Sequence, residues 1–262
     1  MLELQNISKA YGDRTVLSDI SLSIEKGEIV SILGPSGCGK TTLLNLVLGL
    51  VTATDGRILF DGVDLTHVPM EKRGFNIVFQ DYALFPNLNA YENIVYGLRN
   101  RPDVSTRSEV DDLIDLLGLR RHLEQRIDEL SGGQKQLVFM AQAFVARPKV
   151  LLLDEPTSAL ALRHQLVVME AARRYAAETG AVCLAVVHDL LTASRFSRSL
   201  LLLEEGRISA LASPEEVLRA EKLEPVYHVD VSVEQSRSGF LQVVPLRPHS
   251  IAHEHGGHHG DH

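Results

Sequence analysis

Hydrophobic and polar positions alternate along the first part of the chain. LELQNIS and TVLSDISLSI both repeat with a period of two residues, and the short apolar run IVSILG follows the turn KGE. A period of two is typical of a strand with one buried face, and a short apolar run bounded by turn residues is typical of a strand buried on both faces. Residues 2–33 are therefore predicted to form strands.

A helical period appears in two other stretches. KTTLLNLVLGL predicts a helix that ends near Gly49. In RSEVDDLIDLLGL the apolar residues Val110, Leu113 and Leu117 have the spacing of an amphipathic helix. This segment lies in a charged, leucine-rich block, and we expect residues 88–148 to form a helical insert.

Strand and helix signals alternate in the rest of the chain. TDGRILFDGVDL predicts a hairpin that turns at Asp61-Gly62, and FNIVFQ, KVLLLDEP, AVCLAVV, SLLLLEE and GRISALA predict further strands. The helix after KVLLLDEP carries apolar residues on one face, namely Leu162, Leu166, Met169 and Ala172. SPEEVLRA predicts a helix with a capping box from Ser213 to Glu216. The alternation predicts an α/β fold with a mostly parallel sheet and an antiparallel N-terminal layer.

Composition narrows the class of protein. The 262 residues are 45% hydrophobic, which suffices for one compound domain or two small ones. The formal charge of −8, without a polybasic stripe, argues against nucleic acid as a partner. Two distant cysteines, Cys38 and Cys183, suit a reducing compartment. No signal pattern opens the chain and its apolar runs are shorter than the ~18 residues of a membrane helix, so we expect a soluble protein that meets the membrane through partners.

A glycine-rich loop follows the predicted strand IVSILG and opens the predicted helix. GPSGCGKTT matches the phosphate-loop pattern G-x-x-x-x-G-K-[ST] in the context that this motif requires. Glycines let successive N–H groups turn toward phosphates, Lys40 brings a positive charge to the β- and γ-phosphates, and the Thr41 hydroxyl is a ligand for Mg²⁺. The predicted phosphate-binding residues are Gly34, Pro35, Ser36, Gly37, Cys38, Gly39, Lys40, Thr41 and Thr42.

Two carboxylates end the predicted strand KVLLLDEP. Asp154 and Glu155 lie at its carboxyl end, where open α/β sheets bind ligands. Asp154 is predicted to reach Mg²⁺ through water, and Glu155 to act on an attacking water. The alternative is that either acid is an ordinary solvated strand end.

A second glycine-rich loop, LSGGQKQ, has no lysine-threonine pair behind its glycines. Ser131 and Gln134 have the spacing of a capping box ahead of the apolar stretch LVFMAQAFV, so a helix is predicted to begin here. One interpretation is a well-capped helix within the insert. The other is a second anion site, because free N–H groups and a helix dipole attract phosphate; without a lysine this site needs another surface to complete it.

The order and spacing of these motifs resemble a known family. GPSGCGKTT, the glutamine of VFQDY, LSGGQ, LLLDEPTSAL and VVHD look like the nucleotide-binding subunit of ABC transporters across about residues 2–230. The resemblance implies ATP and Mg²⁺ as ligands and a P-loop NTPase (RecA-like) core with an N-terminal antiparallel β layer and a helical insert subdomain. It implies an ATP-binding core from 1–87 and 149–230, a helical signature subdomain at 88–148 and a C-terminal extension with a histidine-rich tail at 231–262.

The resemblance also implies roles for single side chains. Tyr11 matches the aromatic residue that stacks on adenine. Gln80 matches the glutamine that touches Mg²⁺ or the water, and His188 matches the switch histidine at the γ-phosphate. With Glu155, the last two are the expected catalytic residues. The ordinary alternatives are an edge-strand tyrosine, a strand-end amide and a capping histidine.

Expected partners follow from the same resemblance. It implies a homodimer or a head-to-tail pair in which the second glycine loop of one chain closes over the ATP of the other. The residues of that loop are Ser131, Gly132, Gly133 and Gln134. Transmembrane permease subunits are expected to dock a coupling helix near Tyr82, Leu84 and Phe85, and a solute-binding protein is an indirect partner. The implied location is cytoplasmic, peripheral on the inner face of the cell membrane.

Three positions depart from the ABC pattern. Ala161 stands where the family usually has aspartate, and Leu191 and Arg198 replace a common asparagine and aspartate. The missing aspartate is predicted to lower coupling and turnover while ATP binding survives.

The subfamily resemblance changes near Gln136. The N-terminal part looks like ATPases of ferric-iron, phosphonate or polyamine importers, and the C-terminal part like those of ferric-siderophore, haem or cobalamin importers. Iron is common to both, so iron or an iron chelate is the expected solute. No room is expected for the extra β-domain of the first group. The tail at 249–262 is either a metal site or a solvated end or tag remnant.

Two other functions stay open. A soluble ABC ATPase of DNA repair or translation typically has a long coiled-coil insert or two cassettes, and an export subunit is commonly fused to membrane helices. Neither feature occurs in this sequence, so the expected function is the ATP-hydrolysing, energy-coupling subunit of an importer.

Overall fold

The computed structural model of the protein describes residues 1–79, 84–158 and 160–249. Gln80, Tyr82 and the histidine-rich tail after His249 lie outside these residues. The strands are β1 (Leu2–Tyr11), β2 (Arg14–Ile24), β3 (Ile29–Leu33), β4 (Asp55–Phe60), β5 (Val63–Asp64), β6 (Phe75–Val78), β7 (Val150–Asp154), β8 (Val182–Val186), β9 (Ser199–Glu204), β10 (Arg207–Ala212), β11 (Val229–Gln235) and β12 (Leu241–Pro248).

The described part of the chain also contains α-helices between its strands. They are α1 (Lys40–Leu48), α2 (Met70–Arg73), α3 (Ala90–Ile94), α4 (Arg107–Leu116), α5 (Gly132–Val145), α6 (Leu162–Thr179), α7 (Leu190–Phe196), α8 (Pro214–Val217) and α9 (Ala220–Tyr227). Short 3₁₀ turns lie at Tyr96–Arg99, Arg120–His122 and Ile127–Glu129. In the described part of the chain, no helix is long and apolar enough to span a membrane.

A central sheet has the strand order β10-β9-β3-β8-β7-β6. β3 pairs in parallel with β8 and β9, and β7 pairs in parallel with β6 and β8. The pairing of β10 with β9 is antiparallel. The carboxyl ends of β3, β7 and β8 therefore meet at the same edge, and the predicted α/β fold with a mostly parallel sheet is confirmed.

The N-terminal layer is a separate antiparallel sheet with the order β2-β1-β4-β5. Asp61 and Gly62 join β4 to β5 with φ values of 50° and 77°. Positive φ at both central residues is the requirement of a type I′ turn, which fits the twist of a hairpin. The predicted antiparallel layer and its hairpin are both confirmed.

The core consists of two hydrophobic clusters, one on each face of the central sheet. Leu151 and Leu153 of β7 point into the cluster that holds α5 and α6. Their neighbour Leu152 points into the other cluster, which holds α1 and the antiparallel layer. Successive side chains of a strand point to opposite faces, so an all-apolar strand such as β7 needs cover on both sides. The short apolar runs of the sequence are explained by this double burial.

Two sequence expectations differ from the structure. On the predicted apolar face of α6, Leu162 is 77% exposed and Leu166 is 38% exposed, because the buried part of the helix begins only at Val168. The first turns of α6 extend past the core.

The second difference is at α8. Ser213 is the N-cap as expected, but its side chain makes no capping hydrogen bond. The N–H of Glu216 bonds to the backbone oxygen of Ser213 instead.

Arg73 joins the end of α1 to the loop before α2. Its guanidinium donates from Nη1 to the carbonyls of Leu46 (3.0 Å) and Val47 (2.8 Å). Nε donates to Val68 at 2.8 Å, and Nη2 to Thr66 at 3.2 Å. The side chain is 5% exposed. A buried cation at a helix C-terminus satisfies carbonyls that the helix leaves unpaired and complements its dipole.

We expect Arg73→Met to lower the free energy of unfolding by about 3 kcal/mol, because buried carbonyls lose a charged donor that methionine does not replace. Urea denaturation followed by circular dichroism measures this. Arg174→Met is the control, since Arg174 makes an exposed pair with Glu178 at 3.2 Å. That change is expected to cost less than about 0.5 kcal/mol. Equal losses for the two variants would contradict the assignment.

Candidate active site

The phosphate loop connects β3 to α1 through backbone that only glycine tolerates. Gly34 has φ 143° and Gly39 has φ 107°. A Cβ at Gly34 would lie 2.1 Å from the carbonyl oxygen of Leu203, and one at Gly39 would lie 2.6 Å from a methyl group of Leu17. The glycines are needed for the close approach of β9 and β2 to the loop as well as for its curvature. Of the other predicted members, Pro35 through Cys38 lie on the same loop, and Thr41 and Thr42 lie in the first turn of α1.

Lys40 is the buried cation of this loop. Its Nζ donates hydrogen bonds to the carbonyl oxygens of Gly34 at 2.7 Å and Pro35 at 2.8 Å. Cys38 Sγ lies 3.9 Å from the same nitrogen. Lys40 is also the first residue of α1, whose N-terminal N–H groups add partial positive charge. The loop therefore combines a full positive charge with backbone donors, which suits it to a phosphate chain.

Asp154 ends β7 next to the start of α1. The Thr41 hydroxyl lies 3.4 Å from Asp154 Oδ1, and Asp154 is 8% exposed. Burial raises the pKa of Asp154 above its usual value, the Thr41 hydrogen bond works in the opposite direction, and the nearby Glu155 charge raises it further. A hydroxyl and a buried carboxylate thus meet where the sequence predicted a magnesium site.

Glu155 has a left-handed backbone, with φ 52°. A non-glycine residue in this region costs about 1–3 kcal/mol and persists only where its surroundings hold it. The N–H of Glu155 bonds to the Val186 carbonyl at 3.2 Å, and its own carbonyl accepts from Ser158 N (3.1 Å) and Oγ (2.9 Å). Hydrogen bonds from two neighbouring segments therefore fix this residue as the chain leaves β7.

His188 contacts the side chain of Glu155. Its Nε2 lies 2.6 Å from Glu155 Oε1, and the two residues follow the adjacent parallel strands β8 and β7. Sequence reasoning predicted both residues for the site but gave no reason for a direct contact between them. The contact orients one carboxylate oxygen toward the imidazole and leaves the other for a different partner.

The second glycine loop forms the predicted helix start. Ser131 N donates to Gln134 Oε1 at 2.8 Å, and Gln134 N donates to Ser131 Oγ at 3.3 Å, which completes the capping box. Ser131 and Gly132 are exposed. A Cβ at Gly133 would lie 2.5 Å from His164 Nδ1, so α6 passes close to this turn. Among the described residues no hydrogen bond joins this loop to residues 34–42.

Two further side chains were expected at the site, Tyr11 and Gln80. Tyr11 ends β1, is 51% exposed, and has Lys9 Nζ 4.7 Å from its ring centroid. The antiparallel layer that carries it reaches the phosphate loop where Leu17 meets Gly39. Gln80 lies outside the described residues.

Comparison with known proteins decides the family. The family model described as ABC transporter matches residues 17–158. The chain belongs to the ABC transporter family. The match extends from β2 to the Glu155 turn, and so it includes the phosphate loop, the second glycine loop and the acidic strand end.

Curated ABC relatives cover most of this chain. The spermidine/putrescine import ATP-binding protein PotA of Mesoplasma florum is 44% identical over 220 residues, which are 83% of this chain and 63% of the relative. The Fe(3+) ions import ATP-binding protein FbpC of Vibrio cholerae is 40% identical over 221 residues, 84% of this chain and 63% of the relative. The chain therefore spans about three fifths of the length of these curated relatives.

Solved ABC structures share the fold. An ATP-binding cassette solved as a dimer in a post-hydrolysis state with ADP and phosphate matches with a TM-score of 0.72 and 29% identity, covering 82% of this chain and 99% of that one. The cbiO1 protein of Clostridium perfringens, part of the transporter complex cbiONQ, matches with a TM-score of 0.75 and 28% identity. The aligned region covers 86% of this chain and 92% of the cbiO1 chain. The predicted P-loop NTPase core of ABC ATPases is confirmed.

The residues present fit a nucleotide and a magnesium ion. The glycine cradle leaves no room for a Cβ at Gly34 or Gly39, and Lys40 supplies the charge. Thr41 and Asp154 offer the oxygen ligands that Mg²⁺ prefers. In the described ranges no group of three His, Cys, Asp or Glu residues forms a metal cage. That pattern suits an ion that takes its other ligands from phosphates and water.

Sequence reasoning missed two contacts of this ABC site. Ser158, in the turn after β7, holds the strained Glu155, and Tyr227, at the end of α9, bonds to Gly34 of the phosphate loop. The serine lies within the run DEPTSAL, so its nearness to Glu155 in the sequence is a local signal. The tyrosine is separated from Gly34 by 193 positions, and no spacing rule connects them.

Proposed function

We propose that this chain is the ATP-hydrolysing, energy-coupling subunit of an ABC importer. The observation that carries the proposal is the 2.6 Å contact between Glu155 and His188 at the carboxyl ends of adjacent strands. Both strand ends lie on the sheet edge where β3 delivers the phosphate loop. A carboxylate and an imidazole beside a phosphate site form a general-base arrangement for attack by water on the terminal phosphate.

The chemistry follows from roles that we propose for each residue. Lys40 and the loop N–H groups bind the phosphates, while Tyr11 stacks on the base. Thr41, Asp154 and Gln80 hold Mg²⁺, which supplies charge neutralisation when bound. Glu155 accepts a proton from the attacking water through the carboxylate oxygen that His188 does not occupy.

His188 Nε2–H donates to Glu155 Oε1 in this proposal and so fixes the rotation of the carboxylate. Glu155 has a left-handed backbone conformation, which is unfavourable for a residue with a side chain. This conformation keeps its carboxylate at the strand end. Pre-orientation of this kind reduces the entropy cost of reaching the transition state.

A second chain completes the site in this proposal. The capping box pairs the N–H groups of Ser131 and Gln134 within one chain, and Ser131 and Gly132 stay exposed for a partner's ATP. A related cassette was solved as a dimer with ADP and phosphate, which supports a pair of chains. Ala161, the N-cap of α6, stands where a cross-dimer aspartate is usual, and we propose that it slows turnover.

Permease subunits are the proposed membrane partners, with the chain on the cytoplasmic face. Phe85 is 38% exposed and lies 4.0 Å, between ring centroids, from Tyr96. Exposed aromatic surface of this kind suits an amphipathic coupling helix. Tyr82 was also expected here and lies outside the described residues.

Relatives named as import ATP-binding proteins favour import over an export subunit or a soluble non-transport ATPase. We also propose a division into a core at 1–87 and 149–230 and a helical signature subdomain at 88–148, which contains α3, α4 and α5. A solute-binding protein is the proposed indirect partner.

We expect Glu155→Gln to lower kcat for ATP hydrolysis at least 100-fold while ATP still binds, because glutamine keeps the shape but accepts no proton. Phosphate release and binding of a fluorescent ATP analogue measure the two effects on the purified chain. Lys40→Ala is the companion variant and should lose binding itself. Hydrolysis by the Glu155→Gln protein within threefold of wild type would refute the proposed role.

Ser131→Arg tests the paired site. The variant is expected to bind ATP as wild type does, since Ser131 makes no hydrogen bond to the phosphate loop of its own chain, and to lose ATP-dependent dimerisation and hydrolysis. Light scattering with ATP in the Glu155→Gln background measures dimerisation. Lys135→Ser, one turn into α5, is the control. Normal hydrolysis by the Ser131→Arg protein would exclude the second-chain role.

The transported solute is proposed to be a cation, either ferric iron or a polyamine. Iron is common to both parts of the subfamily resemblance, and the relatives' names include spermidine/putrescine and Fe(3+) import. Uptake of labelled spermidine and of labelled ferric iron is compared in cells with and without the gene. We expect one uptake to fall at least tenfold and to return with the wild-type gene but not with Glu155→Gln. Unchanged uptake of both would overturn the solute class.

A further inference from the structure

Residues 220–248 form a unit that none of the sequence motifs includes. α9 leads into the hairpin of β11 and β12, and Leu223 and Val226 of α9 are buried in the cluster that holds α5 and α6. Glu224 Oε1 accepts a hydrogen bond from Val231 N at 3.0 Å, which ties the helix to the hairpin. The unit therefore packs onto the nucleotide-binding core as one piece.

Tyr227, the last residue of α9, reaches the phosphate loop. Gly34 N donates a hydrogen bond to the Tyr227 hydroxyl at 3.0 Å. Burial raises the pKa of Tyr227 to about 12, so the phenol is neutral at physiological pH. A neutral phenol accepts through its oxygen and keeps its own proton to donate.

Gly34 is consequently held from both sides. Its N–H bonds to Tyr227, and its carbonyl accepts from Lys40 Nζ at 2.7 Å. The carbonyl of Leu203 leaves no space for a Cβ on the third side. These contacts fix the peptide planes before and after Gly34, and the direction in which the loop leaves β3 depends on both planes.

The hairpin makes a second contact near the site. Ser194 Oγ of α7 donates to the Leu241 carbonyl of β12 at 3.3 Å, and the Arg195 guanidinium lies 5.3 Å from the centroid of Phe240. α7 is capped by Asp189, directly after His188. One C-terminal unit thus touches the phosphate loop and the helix that follows the histidine.

Hydrophobic packing alone does not explain why residue 227 carries a hydroxyl. Phenylalanine would fill the space of the Tyr227 ring equally well, and the hydroxyl oxygen bonds to an N–H of the phosphate loop. An unpaired N–H in a partly buried loop is costly, so the oxygen stabilises one particular loop conformation.

We propose that Tyr227 is a positioning residue of the ATP site, which makes residues 220–248 part of the nucleotide-binding machinery. The proposal rests on the function proposed above. Tyr227 acts through Gly34 and sets the geometry in which the loop N–H groups and Lys40 meet the phosphates.

The test compares Tyr227→Phe with Tyr175→Phe in the full chain. Tyr175 is also a partly buried tyrosine, and its hydroxyl donates to the Pro148 carbonyl at 3.0 Å, but it lies on α6 away from the loop. Loss of the loop bond should weaken ATP binding about fivefold to tenfold. The KM for ATP should rise while kcat changes less than twofold, and Tyr175→Phe should leave Kd and KM unchanged at a similar loss in Tm.

Amide hydrogen exchange without nucleotide gives a second readout. Tyr227→Phe should speed exchange at Gly34 about tenfold, and Tyr175→Phe should not. Wild-type Kd and Gly34 exchange in the Tyr227→Phe protein, or equal affinity losses in both variants, would overturn the proposal. A wild-type chain that binds no ATP would overturn the proposed function instead, and Gly34 exchange would still decide whether Tyr227 holds the loop.

Discussion

The loop between β3 and α1 exists only because no side chain stands at Gly34 or Gly39. At these positions β9 and β2 come within a distance that a Cβ does not allow. That approach brings the antiparallel layer, the central sheet and α1 to one point. Lys40, Thr41 and Asp154 acquire their positions from it, so the polar interactions of the site depend on this close packing around two glycines.

The phosphate loop carries positive charge, although the chain as a whole is negatively charged. The formal net charge is −8, and an ATP phosphate chain is also anionic. Attraction must therefore be local, from Lys40, the loop N–H groups and the start of α1. Asp154 and Glu155 add two carboxylates beside these donors, and burial raises the pKa of Asp154. Such a cluster is costly in the free protein, and a bound divalent cation offsets that cost.

The parts of this structure that the sequence predicted are local in the chain. The phosphate loop, the acidic end of β7, the hairpin at Asp61-Gly62 and the capping box at Ser131 each need only a few neighbouring residues to be recognised. The α/β fold followed from the alternation of strand and helix patterns. The roles of Tyr11, Gln80 and His188 came from the family resemblance, and all the proposed residue roles and domain boundaries stay predictions.

What was missed depends on contacts between distant segments. Arg73 binds carbonyls of α1 that lie 26 and 27 positions away, and Tyr227 bonds to Gly34 across 193 positions. Leu162 fits the apolar face of α6 by spacing, yet the core ends before it. Periodicity predicts which face of a helix a side chain lies on, but not how far the core extends along that face. A hydrogen bond between residues far apart in the sequence leaves no local pattern that would predict it.

The two interpretations of the second glycine loop are compatible. The capping box pairs the N–H groups of Ser131 and Gln134, and in the described part of the chain those of Gly132 and Gly133 donate to no protein acceptor. A helix start always leaves such groups over, and they attract an anion. Within its own chain, Gly133 lies close to α6, where a Cβ would meet the side chain of His164 in its present position. A small residue at this position thus suits both the close packing on α6 and the proposed phosphate from a second chain.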